Sequence, residues 1–313
     1  MKIAVIDLGT NTFHLLVTKL KDGTHEVLHK DRRAVRIGEK GINKGEINHD
    51  AWNRAINTLR EFKETIDGFK VDKVFATATS AIRNAKNGFE LVDEINREIG
   101  IEVNVISGMR EAELIHFGAT KAMDFGSDKS LIMDIGGGSI EFIIADQTKA
   151  YWMYSFEIGG QRLVENFHNS DPIAKEEVTN LYAYFDKELD LLFEACQLHA
   201  PKTLIGCSGT FDTLSDIFLE KQGKKQDPKS SELPITMEAF QTTYQELIQK
   251  TREERLKIPG MIEMRVEMIV VACVLINYLI DKLSLADMRV SAYALKEGIL
   301  YNILEQFQEQ QNQ

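Results

Sequence analysis

The sequence predicts an α/β fold made of two similar domains facing one cleft, and three observations predict it. One short pattern occurs twice. Residues 7–17 read Asp-Leu-Gly-Thr-Asn-Thr-Phe-His-Leu-Leu-Val, and residues 134–144 read Asp-Ile-Gly-Gly-Gly-Ser-Ile-Glu-Phe-Ile-Ile. Each copy follows an apolar run (Ile3 to Ile6, Leu131 to Met133) and leads into another, which spells strand, turn, strand. The elements after each copy also repeat, and 313 residues are enough for two domains of ordinary size.

In the first half, residues 2–8, 12–20 and 24–37 read as strands, with Lys21-Asp22-Gly23 as the first hairpin turn. Trp52, Ile56, Leu59, Phe62 and Ile66 recur at helical spacing over 48–67, and Asn48 is a suitable N-cap. Val71 to Ala78 reads as a buried strand, 88–99 as an amphipathic helix closed by Gly100, and Ile101 to Ile106 as a strand. Ser107 then opens a helix that runs to about Met123. Gly126 and Ser127 mark a break, which gives domains 1–125 and 126–313. Strands follow at 129–135, 140–146 and 150–157, then helices at 160–167 and 174–199, strand 203–207 and helix 209–221. The polar stretch 222–234 holds two of the five prolines and reads as a mobile loop. Helices at 236–255 and 261–283 precede a strand at 288–291. A last helix, 293–310, is expected to pack back on the first domain, with a frayed Gln-rich tail at 306–313.

Composition narrows the function. The net charge is 37 − 48 = −11, with no long basic run, which argues against double-stranded nucleic acid and membrane surfaces. An anionic substrate must therefore be drawn in locally, by a few cations, turn amides and a metal. Cys196, Cys207 and Cys273 show neither ligand spacing nor a paired framework, and the chain enters a strand at once. A cytoplasmic protein without a signal peptide is expected. The 13 apolar residues between Glu267 and Asp281 fall short of the roughly 20 that span a bilayer and read as a core helix.

The turns carry the candidate chemistry. In Asp7-Leu8-Gly9-Thr10-Asn11-Thr12, Gly9 allows a sharp reversal. The amides of Thr10, Asn11 and Thr12 can then face an anion, although an ordinary hairpin fits this run equally well. The second turn, Gly136-Gly137-Gly138-Ser139, is more telling, because three glycines weaken the strands they join unless something must approach the backbone. Asp134, and Asp7 in the first copy, can hold a hard cation through carboxylate oxygen, and Glu141 just past the turn can orient a water. Ser208-Gly209 opens a helix in Gly206-Cys207-Ser208-Gly209-Thr210, where free amides attract phosphate; a plain strand-to-helix turn fits as well. Arg83 follows the small-residue run from Ala76 and can fork onto phosphate oxygens or simply sit at the surface. Spacing alone leaves Glu111, in Ser107-Gly108-Met109-Arg110-Glu111, as either a catalytic acid or a helix-start acid.

Taken together these segments resemble the Ppx/GppA family, the exopolyphosphatases and guanosine pentaphosphate phosphohydrolases. The resemblance rests on DLGTNTFHLLV from residue 7, ATATSAIRNAKNG from 76, ISGMREAELIHFGA from 106, MDIGGGSIEFI from 133, IGGQRLVENFHNSDP from 158, GCSGTFDTL from 206 and LKEGIL from 295. It implies two ribonuclease-H-like domains around an interdomain cleft, the superfold of actin, sugar kinases and the Hsp70 ATPase domain. It implies hydrolysis of terminal phosphoanhydride bonds of polyphosphate or guanosine pentaphosphate with Mg²⁺ (or Mn²⁺), and a homodimer. The family's catalytic Glu is the second of its SGxEEA segment, which implies that Glu111 is the base. Arg83, Asp134, Gly136 to Ser139 and Glu141 match its phosphate arginine, metal acid, phosphate loop and closing acid. The chain departs from the family pattern at Thr10, Thr12 and His14, where Ser, Ser and Arg are usual, and at Arg265-Val266-Glu267, where Arg-Ala-Asp is common. Two other readings share the superfold: an ATP-dependent kinase or ATPase, and a non-catalytic alarmone sensor.

Overall fold

The computed structural model describes residues 1–21 and 24–311; the hairpin turn read at Asp22-Gly23 and the last two residues of the Gln-rich tail lie outside them. The chain divides into two compact units, Met1–Gly118 with Leu295–Gln313, and Ala119–Ala294. It passes from one to the other at Gly118/Ala119 and again at Ala294/Leu295. The sequence places its break further on, at Gly126.

The first unit opens with β1 (Lys2–Leu8), β2 (Phe13–Lys21) and β3 (Thr24–Arg33), followed by α1 (His49–Phe69), β4 (Lys73–Ala78), α2 (Ser80–Asn84), α3 (Gly88–Ile99), β5 (Val103–Val105) and α4 (Gly108–Ala122). Its sheet runs β3-β2-β1-β4-β5. The first three strands are antiparallel, and β4 and β5 join parallel to β1 through helical crossovers. Alternation along β1 and β2 sends Ala4, Ile6, Leu8, Phe13, Leu15 and Val17 into one core. Against them α1 lays Ile56, Leu59, Phe62 and Ile66 of the helical stripe visible in the sequence, together with Ala51 and Ala55, while Trp52 of that stripe is partly buried at the edge of the core. Asn48 caps α1 by accepting from the Ala51 amide at 2.9 Å, a bond worth about 1 kcal/mol.

The second unit contains β6 (Ser130–Ile135), β7 (Ile140–Ala145), β8 (Ala150–Phe156), α5 (Gly160–Phe167), α6 (Lys175–Glu188), α7 (Asp190–His199), β9 (Thr203–Cys207), α8 (Ser208–Lys221), β10 (Glu232–Leu233), α9 (Met237–Gln249), α10 (Arg252–Arg255), α11 (Met268–Leu283) and β11 (Asp287–Ser291). Its sheet runs β10-β11-β9-β6-β7-β8. Here too three antiparallel strands are followed by two parallel ones, β9 and β11, with β10 added on the edge. The order repeats that of the first unit strand for strand, as the duplicated turn requires. This is the ribonuclease-H-like arrangement of the actin superfold. Residues 268–280 of α11 are all buried, so the apolar run is a core helix, and among the described residues no helix is long and apolar enough to cross a membrane.

Several elements differ from the sequence reading. The helix expected at 174–199 breaks at Leu189, whose φ −106, ψ 18 ends α6 while its side chain stays in the core. The helix expected at 236–255 stops at Gln249 and restarts at Thr251, where Thr251 and Glu254 form a reciprocal capping box. The stretch read as helix from 261 begins only at Met268. The loop 222–234 ends in β10, which pairs with β11. The run after Ala78 contains the short helix α2, which the sequence reading did not assign; α12 (Leu295–Gln311) packs on β1 within the first unit. Gly298 sits so close to α4 that a Cβ would lie 1.9 Å from the Leu114 carbonyl oxygen.

Burial has a consequence for acid stability. It holds the imidazoles of His116 on α4 and His168 at the end of α5 below their ordinary pKa. Unfolded imidazoles titrate near 6.5, so protons bind the unfolded chain first. Stability is therefore full above about pH 6.5 and falls as pH drops below it. The melting temperature is expected to fall between pH 7.5 and 5.5, and His168→Gln to shrink that fall; an undiminished fall in the variant would remove His168 from this account.

Candidate functional site

The two copies of the turn share one construction. In the first, the Thr10 carbonyl accepts from the Gly38 amide at 3.2 Å and the Asn11 carbonyl from the Arg36 amide at 2.9 Å. In the second, the carbonyls of Gly138, Gly136 and Gly137 accept from the amides of Gly159, Gly160 and Gln161 at 3.2, 2.8 and 2.8 Å. A trans peptide directs its C=O and N–H oppositely. Tying the carbonyls to a backing segment therefore turns the amides of Asn11 and Thr12, and those of Gly137, Gly138 and Ser139, to the other side. Among the described residues the amides of Thr12, Gly137, Gly138 and Ser139 donate to no acceptor outside the strand ladders. Convergent amides of this kind form an anion-binding nest. The tightness is also shared: a Cβ on Gly9 would lie 3.0 Å from the Thr12 carbonyl oxygen, and one on Gly136 2.9 Å from that of Ser139. Thr10, Thr12 and Ser139 are buried, so their hydroxyls belong to the turns rather than to bulk water.

The strand ends around the turns differ. Asp134 stands opposite Glu141 on β7 and beside Cys207 on β9. Both carboxylates are buried, at 5% and 1% exposure. Like charges directly opposite in a sheet repel, so this pair suits a cation. Ser208 Oγ donates to Asp134 Oδ2 at 2.7 Å, and Ser155 Oγ to Glu141 Oε1 at 2.6 Å. Ser208 holds φ +70, a left-handed conformation rare outside glycine, and aims its hydroxyl at Asp134. The donors are all oxygen, which fits Mg²⁺ or Mn²⁺. No group of three His, Cys, Asp or Glu forms a cage among the described residues, and Mg²⁺ usually leaves ligand positions to water and substrate phosphates. The matching row of the first unit reads Asp7 opposite His14 opposite Arg32, with Thr77 on the other side of Asp7. With a histidine and an arginine in place of a second acid, that row suits an anion better than a cation.

Glu111 lies in the first turn of α4, yet it does not act as an exposed helix-start acid. Ser107 supplies the cap, accepting the Arg110 amide at 3.1 Å, and Arg110 swings outward to Glu113 and Asn302. Glu111 turns inward to 6% exposure, where its Oε2 accepts from Arg83 Nη1 at 2.9 Å. The same Nη1 donates to the Ile106 carbonyl at 3.1 Å. The structure thus joins two residues that stand 28 apart in the sequence and were singled out for separate reasons.

Gly209 has its own neighbour: a Cβ there would lie 2.0 Å from Arg265 Nη2. Sequence reasoning meets Arg265 only within the Arg265-Val266-Glu267 triplet and gives it no role. Its placement depends on a fold-back no local pattern announces. The Glu267 departure now has a local reason. Its two oxygens meet Arg252 Nε at 2.9 Å and Arg255 Nη2 at 3.4 Å. Arg255 is fully buried and also reaches Asp171, the Lys250 carbonyl and the Val266 carbonyl. Glu267 therefore anchors the segment that carries Arg265.

A model of the Ppx/GppA phosphatase family matches residues 16–307. The chain is similar to the crystal structure of an exopolyphosphatase from Cytophaga hutchinsonii, with 43% identity, a TM-score of 0.94, and coverage of 97% of this chain and 98% of that one. It is also similar to the crystal structure of the Aquifex aeolicus member of the Ppx/GppA family, at 26% identity and a TM-score of 0.78 over 98% of each chain.

Proposed function

Because the chain belongs to the Ppx/GppA phosphatase family, we propose that it hydrolyses the terminal phosphoanhydride bond of inorganic polyphosphate, and of guanosine pentaphosphate, releasing orthophosphate. The observation that carries this reading is the Arg83–Glu111 pair, a buried carboxylate held in place by a half-buried arginine with no exposed role to fill.

In this reading the amides of Asn11 and Thr12, and those of Gly137, Gly138 and Ser139, grip phosphate oxygens. Glu111 accepts a proton from the attacking water, a contribution typically worth about 10²–10⁴-fold. As the water oxygen bonds to the last phosphorus, the bond to the bridging oxygen breaks and its electron pair leaves with the shortened chain. Arg83 keeps the Glu111 carboxylate aimed and supplies positive charge for the equatorial oxygens, over which charge spreads during transfer. Ser208 and Ser155 fix the carboxylates of Asp134 and Glu141, the residues that would hold a magnesium or manganese ion. That ion would supply electrostatic relief to the phosphates during transfer. Arg265 adds a fixed cation beside Gly209.

The test is orthophosphate release from polyphosphate, guanosine pentaphosphate and ATP, measured side by side with Mg²⁺ and with a chelator. Release from at least one of the first two, stopped by the chelator, is expected. Release from ATP alone would overturn the reading in favour of an ATPase.

A further inference from the structure

We propose that Arg32 and Arg36 form a second phosphate subsite beside the first turn, which binds phosphates remote from the bond being cleaved. The proposal rests on the phosphoanhydride reading above.

The first 118 residues contain eight arginines. Six of them face carboxylates: Arg33 with Asp31, Arg54 with Glu39, Arg60 and Arg97 with Glu98, Arg83 with Glu111, and Arg110 with Glu113. Arg32 and Arg36 are the two that remain. Both are exposed, and neither guanidinium has a hydrogen bond or ion pair among the described residues. In a chain of net charge −11, two uncompensated arginines four residues apart are an exception that calls for an anion.

Their position supplies the anion's identity. Arg33 pairs with Phe13, the first residue of β2 after the turn, so residues 32–38 emerge at the turn's own end of the sheet. Arg32 stands opposite His14, which stands opposite Asp7. Directly opposed residues share one face of a sheet, so Arg32 extends the row that begins at the turn. Arg36 is bound to the turn itself, through its amide to Asn11, and two residues on Gly38 presses on Thr10, where a Cβ would lie 2.6 Å from Thr10 Cγ2. The neighbouring acids are engaged elsewhere, Asp31 with Arg33 and Glu39 with Arg54.

Arg36 also holds φ +50. A side chain in the left-handed region is kept only where the surroundings dictate it. In the second copy of the turn, the residue that donates to the matching carbonyl is Gly159. The first unit thus carries a charged side chain where its duplicate has none, in a conformation glycine would adopt more readily. Guanidinium forks match phosphate oxygens, and a polyphosphate tail presents such oxygens in series. The 3′-diphosphate of guanosine pentaphosphate offers the same chemistry from another source.

The experiment is steady-state kinetics of the Arg32→Gln, Arg36→Gly double variant on long-chain polyphosphate, guanosine pentaphosphate and tripolyphosphate at two salt concentrations. Arg36→Gly relieves the left-handed strain, so the melting temperature should hold or rise and a folding defect is not the cause of any loss. Two exposed guanidinium contacts are worth about tenfold together. KM is expected to rise about tenfold on long chains with a shallower salt dependence, with much less change on tripolyphosphate, and Arg32→Lys should keep part of the affinity. A rise confined to guanosine pentaphosphate assigns the same subsite to its 3′-diphosphate. Equal KM for variant and wild type on both extended substrates, or a loss equal on all three, overturns the subsite while leaving the parent activity in place. A wild type that releases phosphate from none of the three overturns both.

Discussion

Glu111→Gln is expected to lower the turnover number by about 10²–10⁴-fold while leaving KM within a fewfold of wild type, the signature of a lost general base. Glutamine keeps the volume and one oxygen for Arg83, so the guanidinium stays hydrogen-bonded. Alanine would be a poorer test, because removing one partner of a buried ion pair costs about 3–5 kcal/mol and confuses folding with chemistry. Steady-state kinetics on the best substrate, with a melting curve of the same sample, provides the check. A variant that folds like wild type and turns over at the wild-type rate would remove Glu111 from the chemistry. Loss confined to KM would make it a binding residue instead.

The second large effect is expected at Gly159, a residue with no chemistry of its own. A Cβ there would lie 2.4 Å from the Gly138 carbonyl carbon and 2.5 Å from the Gly137 carbonyl carbon and oxygen. These are backbone atoms of the phosphate turn, which cannot rotate aside as a side chain does. Gly159→Ala should therefore displace the turn and misdirect its amides. Losing one such donor typically costs about 10²–10³-fold, so kcat/KM should fall by about 10²-fold or more. Overpacking itself costs about 1–3 kcal/mol, so the protein should remain folded at room temperature. Gly68, in α1, has nothing within 4 Å of a built Cβ. Gly68→Ala serves as the control and should stabilise the helix by about 0.5–1 kcal/mol with no kinetic effect. Wild-type kinetics in Gly159→Ala would mean that the Gly136–Ser139 turn does not bind substrate.

What could be read from the sequence, and what could not, follows the range of the interactions. Strand, turn and strand around Asp7 and Asp134 are local, and period-two patterning with glycine at the reversal announces them. The stripe on α1 and its Asn48 cap are equally local. The backing of each turn is not. It brings the 36–38 segment to the first turn and 159–161 to the second across some two dozen residues. Ser208 is similar: its place in a small-residue turn suggested a phosphate contact, while its hydroxyl is found 74 residues away on Asp134. Arg265 against Gly209 and Arg83 against Glu111 depend on elements meeting in space. Breaks at Leu189 and Thr251 escaped notice because apolar spacing carries on through both, and only backbone angles or caps reveal the interruption.

The duplication has also diverged in charge. One row of the second unit sets Asp134 against Glu141, and the corresponding row of the first sets Asp7 against His14 and Arg32. The same backbone frame thus presents acid to acid in one copy and acid to base in the other.

Discontinuity of the first unit imposes an order on synthesis. Its strands leave the ribosome before the second unit, yet α12, which packs on β1 and nests Gly298 against Leu114, is made after that unit. The contiguous second unit, Ala119–Ala294, can be complete while the earlier-made half still waits for its final helix. Nascent chains stalled before residue 295 should therefore protect the later half from protease and leave the amino-terminal half open to cleavage, so that the half translated first matures last.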